Sequence, residues 1–257
     1  MNQELQMEKG LFLDLYRQLD NLDLRSCSPA SLSGLLHGYL TVYSMVRVYP
    51  WLEGDFGNPG DVHERAKSIV HLYPSQSRCS DVDTEIRAGY AADKMDVYQL
   101  YADLSYLKNG LDAAYKILSL QGNGKIVLPC RTPNICRLLC NCYYFAGDEE
   151  CGELAGRLVT EMLGYIRGGN REVLLAWWEA ICLYSDAVGA MMLPGEDYKR
   201  LEEERARLRV SVEREEEKKV ELFRQAGQEA DFGLVAEVFA ILARREFERC
   251  NKMGNNY

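Results

Sequence analysis

Two carboxylates interrupt the most apolar helical segment of this chain. Residues 171–192 are apolar on nearly every side, and Glu179 and Asp186 stand seven positions apart within them. In an α-helix this spacing places both carboxylates on one face, about two turns apart. Such a pair suits general acid/base chemistry or the binding of a cation, with Trp177 or Trp178 as an apolar wall. The alternative is a narrow solvent stripe on an otherwise buried helix.

Five of the nine cysteines fall within residues 130–151. Cys136 and Cys140 share a helix face, and Cys151 follows a predicted turn, so their thiolates could converge on a metal ion or take part in redox chemistry. A structural zinc site needs about four ligands, and this stretch has neither C-x-x-C pairs nor a histidine. Cysteine also packs as a small hydrophobe between close helices. We therefore predict no metal and no cofactor, and a core role for the cluster formed by Cys130, Cys136, Cys140, Cys142 and Cys151.

Tyrosine is frequent, and 14 of the 16 tyrosines precede residue 185. Its apolar ring and polar hydroxyl are favoured at protein interfaces. Tyr98 and Tyr101 are therefore candidates for a partner-binding surface, together with the aromatic and acidic residues of segment 171–192. The alternative is that the tyrosines fill helix–helix contacts.

The elements that must position these residues are helical. Apolar residues recur with helical spacing, and there is no sustained two-residue alternation. Ser28-Pro29 and Thr132-Pro133 predict helix starts, Asn109-Gly110 predicts a break, and Gly147-Asp148 predicts a stop followed by a new cap. We expect an all-α fold of stacked antiparallel helical hairpins, either solenoid-like or an irregular bundle.

The last quarter of the chain has a different composition. Of the 26 residues from 196 to 221, ten are acidic and eight are basic. This pattern predicts a long, largely solvated helix, and a heptad-like seam over 196–226 allows self-association. We predict a helical-hairpin domain over 1–193 and a charged C-terminal helical hairpin over 194–257, packed on the first domain.

Two resemblances suggest what such hairpins do. The spacing of a set of large and small residues resembles a tetratricopeptide repeat: Tyr98, Tyr101, Ala102, Ser105, Ala114 and Leu118. That family stacks helical hairpins and binds extended partners on a concave face. Residues 113–124 also resemble the helix and glycine-rich turn of α/α-toroid enzymes. That resemblance implies a helical pocket, in which Glu179 and Asp186 would be the paired carboxylates.

Composition excludes several classes of protein. The net charge of -9 argues against a nucleic-acid binder, which needs a basic surface. No apolar run reaches the roughly 18–20 residues that cross a membrane, and the polar start and odd cysteine number favour the cytoplasm. We therefore expect a protein- or peptide-binding scaffold or adaptor whose partner is basic or amphipathic. An enzyme with a toroid-like pocket and a ligand-sensing regulatory domain are the alternatives.

Overall fold

A computed structural model describes residues 3–73, 84–118 and 126–254. The all-α prediction is confirmed, since these ranges are almost entirely helical and contain no β-strand. None of the described helices combines the length and the apolar character needed to cross a bilayer.

The described residues form two compact units. The first contains residues 3–73 and 219–254, and the second contains residues 84–118 and 126–218. The sequence predicts a domain boundary at 193–194, whereas the boundary between the two units falls at 218–219, inside the long helix Gly195–Ala226. The chain therefore returns to its first unit near its end, which a prediction based on a change of composition could not foresee.

The first unit is built around helix α2. It comprises α1 (Gln3–Asp20), α2 (Pro29–Val48), the short α3 (Glu53–Phe56), α4 (Pro59–Leu72) and α12 (Phe232–Gly254). The predicted start of α2 is confirmed, because the Ser28 side chain accepts a hydrogen bond from the Ser31 N–H. Helix α12 packs chiefly against α2 and not as a C-terminal hairpin with its predecessor. Buried rings fill the centre of the unit: Phe12, Tyr16, Tyr39, Phe56 and Phe239.

The second unit is built around helix α7 (Pro133–Ala146). Helices α5 (Thr84–Tyr101) and α6 (Leu104–Ile117) form one hairpin, and α7 forms another with α8 (Glu149–Arg167). Each hairpin has a two-residue turn, and the aspartates Asp103 and Asp148 cap the second helices. Antiparallel hairpins are thus present here as predicted. Helix α7 packs against both α5 and α8.

The break predicted at Asn109-Gly110 is wrong. Helix α6 continues through both residues, and the chain turns earlier, at Ala102, whose φ is 56°. Gly110 is buried, and a Cβ placed on it would come within 2.6 Å of the Met95 Cγ. This glycine therefore allows close packing of α5 on α6 and does not form a turn.

The apolar segment after α8 changes its helical type. Helix α9 (Leu174–Leu183) passes into a π-helical turn over Tyr184–Gly189 and then into the short α10 (Ala190–Met192). The charged stretch that follows is one long helix, α11 (Gly195–Ala226), as predicted. Two residues of its heptad-like seam, Leu201 and Val212, are buried in the core of the second unit. Part of the seam is thus covered within the chain itself.

Candidate functional site

Three aromatic side chains meet where helices α5 and α7 end, one of them exposed and two partly buried. The rings of Tyr98 and Phe145 meet edge to face with centroids 5.6 Å apart, and Tyr144 meets Phe145 in the same way at 4.9 Å. Tyr144 is 54% exposed. Leu104 is also exposed and begins α6 directly after the turn that follows α5. We call Tyr98, Leu104, Tyr144 and Phe145 the aromatic end.

The chain around the aromatic end is acidic. Segments 97–107 and 138–152 contain four acidic residues and no lysine or arginine. Asp103 and Asp148 cap helices by accepting hydrogen bonds from the Ser105 and Cys151 N–H groups, and Glu149 is exposed in the first turn of α8. Helix N-termini offset part of this negative charge. The aromatic end therefore combines apolar rings with a negative border.

The structure brings only one of the two candidate tyrosines into this surface. Tyr98 contacts Phe145, whereas Tyr101 lies one turn further along α5 and is half-buried. Tyr144 and Phe145 were missed by the sequence reasoning. The signal was the run of three aromatic residues, 143–145, directly before the Gly147-Asp148 turn, because aromatic side chains at the end of a helix have fewer neighbours to cover them.

The two candidate carboxylates of the apolar segment contact different arginines. Asp186 is exposed and accepts a hydrogen bond from Arg205 of α11, while Glu179 lies 3.6 Å from Arg137 of α7. The π-helical turn starts at Tyr184, so the α-helical spacing assumed between them does not hold. Each arginine also contacts another carboxylate, so Glu179 and Asp186 belong to two separate ion clusters.

The two candidate tryptophans are part of the packing. Trp177 is 4% exposed within the core of the second unit, and Trp178 is partly buried against that core. Neither belongs to the aromatic end.

A buried ion cluster joins α5, α7 and α9. The Arg137 Nη2 donates to Asp93 at 2.9 Å and to Asp96 at 2.7 Å, and Asn141 Nδ2 donates to Asp96 at 3.1 Å. Burial lowers the pKa of Arg137, but Glu179, Asp93 and Asp96 outweigh it and hold this pKa well above its ordinary value. The cluster fixes three helices together. The sequence contains a signal for this cluster, because Asp93 and Asp96 on α5, and Arg137 and Asn141 on α7, are polar pairs spaced three or four residues apart.

The cysteine cluster lies in the core of the second unit. Four of its members are fully buried and Cys130 is partly buried against them. Burial and a hydrogen bond with Cys136 raise the pKa of the Cys140 thiol, and a hydrogen bond with Cys142 together with burial raises that of Cys151. Among the described residues, no three of these sulfurs come together as one set of ligands. The thiols are thus arranged as two packed pairs.

This arrangement predicts which cysteines react. In the native protein, brief treatment with iodoacetamide at neutral pH should modify the half-buried thiols well before the buried ones, because alkylation requires an accessible thiolate. Peptide mapping by mass spectrometry measures the order. Rapid modification of Cys140 or Cys151 would contradict the core assignment. We expect early labelling of Cys27, Cys130 and Cys182, and protection of Cys136, Cys140, Cys142, Cys151 and Cys250.

Comparison with known proteins adds no relative. No protein-family model matches the chain, and no curated protein or solved structure proved similar to it.

Proposed function

We propose that this protein is a scaffold or adaptor that binds another protein or a peptide through the aromatic end. The observation that carries the proposal is the exposure of Tyr144 in contact with Phe145, which in turn contacts Tyr98. The exposed Tyr144 and Leu104, with the partly exposed Tyr98 and Phe145, form an apolar surface, and contiguous apolar surface of this kind marks an interaction site.

The partner that fits this surface is basic or amphipathic. Tyrosine offers a large contact area and loses little rotamer entropy on binding, so tyrosines dominate the binding energy of many interfaces. Lysine and arginine are attracted to the negative border through charge and to the rings through cation–π contacts. An apolar side chain between the basic residues would pack on Leu104 and Tyr144. A nucleic acid does not fit, since its phosphates would meet Asp103 and Glu149.

The proposal predicts a specific loss of affinity. The double variant Tyr98→Ala/Tyr144→Ser should bind an 18-residue helical peptide of lysine and leucine about 10- to 30-fold more weakly, because the two aromatic contacts together are expected to contribute about 1.4–2 kcal/mol. Fluorescence anisotropy with labelled peptide measures the dissociation constant. The measurement is made at about 0.15 M salt to screen non-specific attraction to the acidic chain.

A second exposed tyrosine provides the matched control. Tyr165 is 47% exposed and lies near the end of α8, roughly 24 Å along the helix axis from its start beside the aromatic end. Tyr165→Ser should leave the affinity unchanged. Equal affinities for the wild type and the double variant, or an equal loss with Tyr165→Ser, would remove the aromatic end as the binding surface.

A further inference from the structure

An open groove runs along helix α8 in the second unit. Its volume is about 630 Å³, and it separates α8 from the segment that contains the π-helical turn and α10. The α8 side covers residues 152–161, which is a length of roughly 14 Å along the helix axis. We call this feature the α8 groove. It shares no residue with the aromatic end.

The floor of the α8 groove is apolar and depends on a glycine. A Cβ on Gly156 would stand 2.8 Å from the hydroxyl of the buried Tyr184, so the glycine lets the Tyr184 ring pack directly against α8 at the base of the groove. Met192 and Leu193 form the opposite wall and are only partly buried, and the adjacent Met191 is largely exposed. Methionine side chains adapt to the shape of a partner, and they are common on surfaces that bind amphipathic helices.

The rim of the α8 groove carries alternating charges. Glu153, Arg157 and Glu161 follow one another at intervals of four residues and are all exposed, so they form one stripe along α8. Glu161 pairs with the exposed Arg131. Within the part of the chain that the structure describes, no ion pair is formed by Glu153 or Arg157. The rim therefore presents the negative charge of Glu153 and the positive charge of Arg157 to an occupant, followed by Glu161, whose negative charge is shared with Arg131.

We propose that the α8 groove binds an amphipathic helix of a partner protein, lying alongside α8. Its apolar face would cover Tyr184, Met192 and Leu193, and its edge would carry basic, acidic and basic residues four apart, opposite Glu153, Arg157 and Glu161. Two to three turns of helix match a length of roughly 14 Å. An extended strand does not fit, because the backbone groups within α8 already bond to each other and offer no edge for strand addition.

Two peptides of identical composition test the charge pattern. Both are 15-residue helices with the same leucine and methionine face. One carries Lys–Glu–Lys along its edge at intervals of four and a glutamate on its far face. The other carries Glu–Lys–Glu along its edge and a lysine on its far face. We expect the Lys–Glu–Lys peptide to bind the wild type about tenfold more tightly by fluorescence anisotropy at low salt. Equal affinities, or no binding of either peptide at millimolar concentration, would overturn the proposal.

Variants of the protein locate the binding. The charge swap Glu153→Lys/Arg157→Glu should reverse the preference between the two peptides, and Thr160→Trp on the groove rim should weaken both by filling the groove. Tyr144→Ser should change neither affinity, so failure here is distinguishable from failure of the aromatic end. All three positions of the groove variants are exposed, and circular dichroism should show unchanged helix content. A preference that survives the charge swap would place the peptide elsewhere.

Discussion

Replacing Arg137 with methionine is expected to lower the free energy of unfolding by about 3–5 kcal/mol. The side chain of Arg137 is 3% exposed and that of Asp93 is 0% exposed, so the substitution leaves a carboxylate buried without its cation. Asp96 and Glu179 lose the same partner. Because Arg137 links α5 to α9 through α7, unfolding of the second unit should show the loss. Urea denaturation followed by far-UV circular dichroism measures it, with separate fits if the two units unfold in separate steps.

An exposed arginine of the same unit serves as the control. Arg131 pairs with Glu161, and both side chains are more than half exposed, so Arg131→Met should cost no more than about 0.5 kcal/mol. The double variant Arg137→Met/Asp93→Asn should lose less free energy of unfolding than the two single variants lose together, because the two residues interact directly. If Arg137→Met costs as little as Arg131→Met, the buried cluster does not hold the helices together.

The predicted features that the structure confirms are those determined by neighbouring residues. Helices α2 and α7 do begin at Pro29 and Pro133, directly after Ser28 and Thr132, and Gly147-Asp148 does separate α7 from α8. Caps and turns depend on side chains within a few positions, so their signals survive in a single sequence. The long charged helix α11 was equally predictable, because its composition excludes a buried segment.

The features that were missed depend on residues far apart in the chain. The sequence around Gly110 fits a turn as well as a close contact between two helices. Only the position of Met95 in the folded protein distinguishes the two cases. The partners of Arg137 are 41 and 44 positions away, so their pairing exists only once α5 lies on α7. The packing of α12 on α2 likewise joins residues at opposite ends of the chain.

In the candidate site, too, the choice of residue could be predicted from the sequence, whereas its exposure depends on distant parts of the chain. Tyr98 could be selected because tyrosine suits an interface, but the exposure of Tyr144 depends on which helices cover the end of α7. Residues 143–145 are all aromatic, yet Tyr143 and Phe145 are partly covered and Tyr144 is exposed. Successive side chains of a helix point about 100° apart. Three consecutive aromatic residues therefore face different surroundings, and one can be exposed while its neighbours are partly covered.

A second large loss of stability is expected when a tryptophan of α9 is truncated. Trp177→Ala is expected to lower the free energy of unfolding by about 3–5 kcal/mol, because it removes a large ring from a packed core and leaves a cavity. Trp178→Ala should cost clearly less, since this ring is only partly buried and retains solvent contact in the folded state. The same urea denaturation measures both, and the two variants share their helix, their residue type and their chemical change.

The comparison also separates the core assignment from the pocket hypothesis. If Trp177 were the wall of an open ligand pocket, its truncation would widen a solvent-filled space and cost little stability, while ligand affinity would fall. A core ring gives the opposite result, a large loss of stability with no effect on binding of the lysine–leucine peptide at the aromatic end. A cost for Trp177→Ala no larger than that for Trp178→Ala would show that the ring is not packed as the structure has it. In that case the helical pocket of the enzyme hypothesis would again need a test.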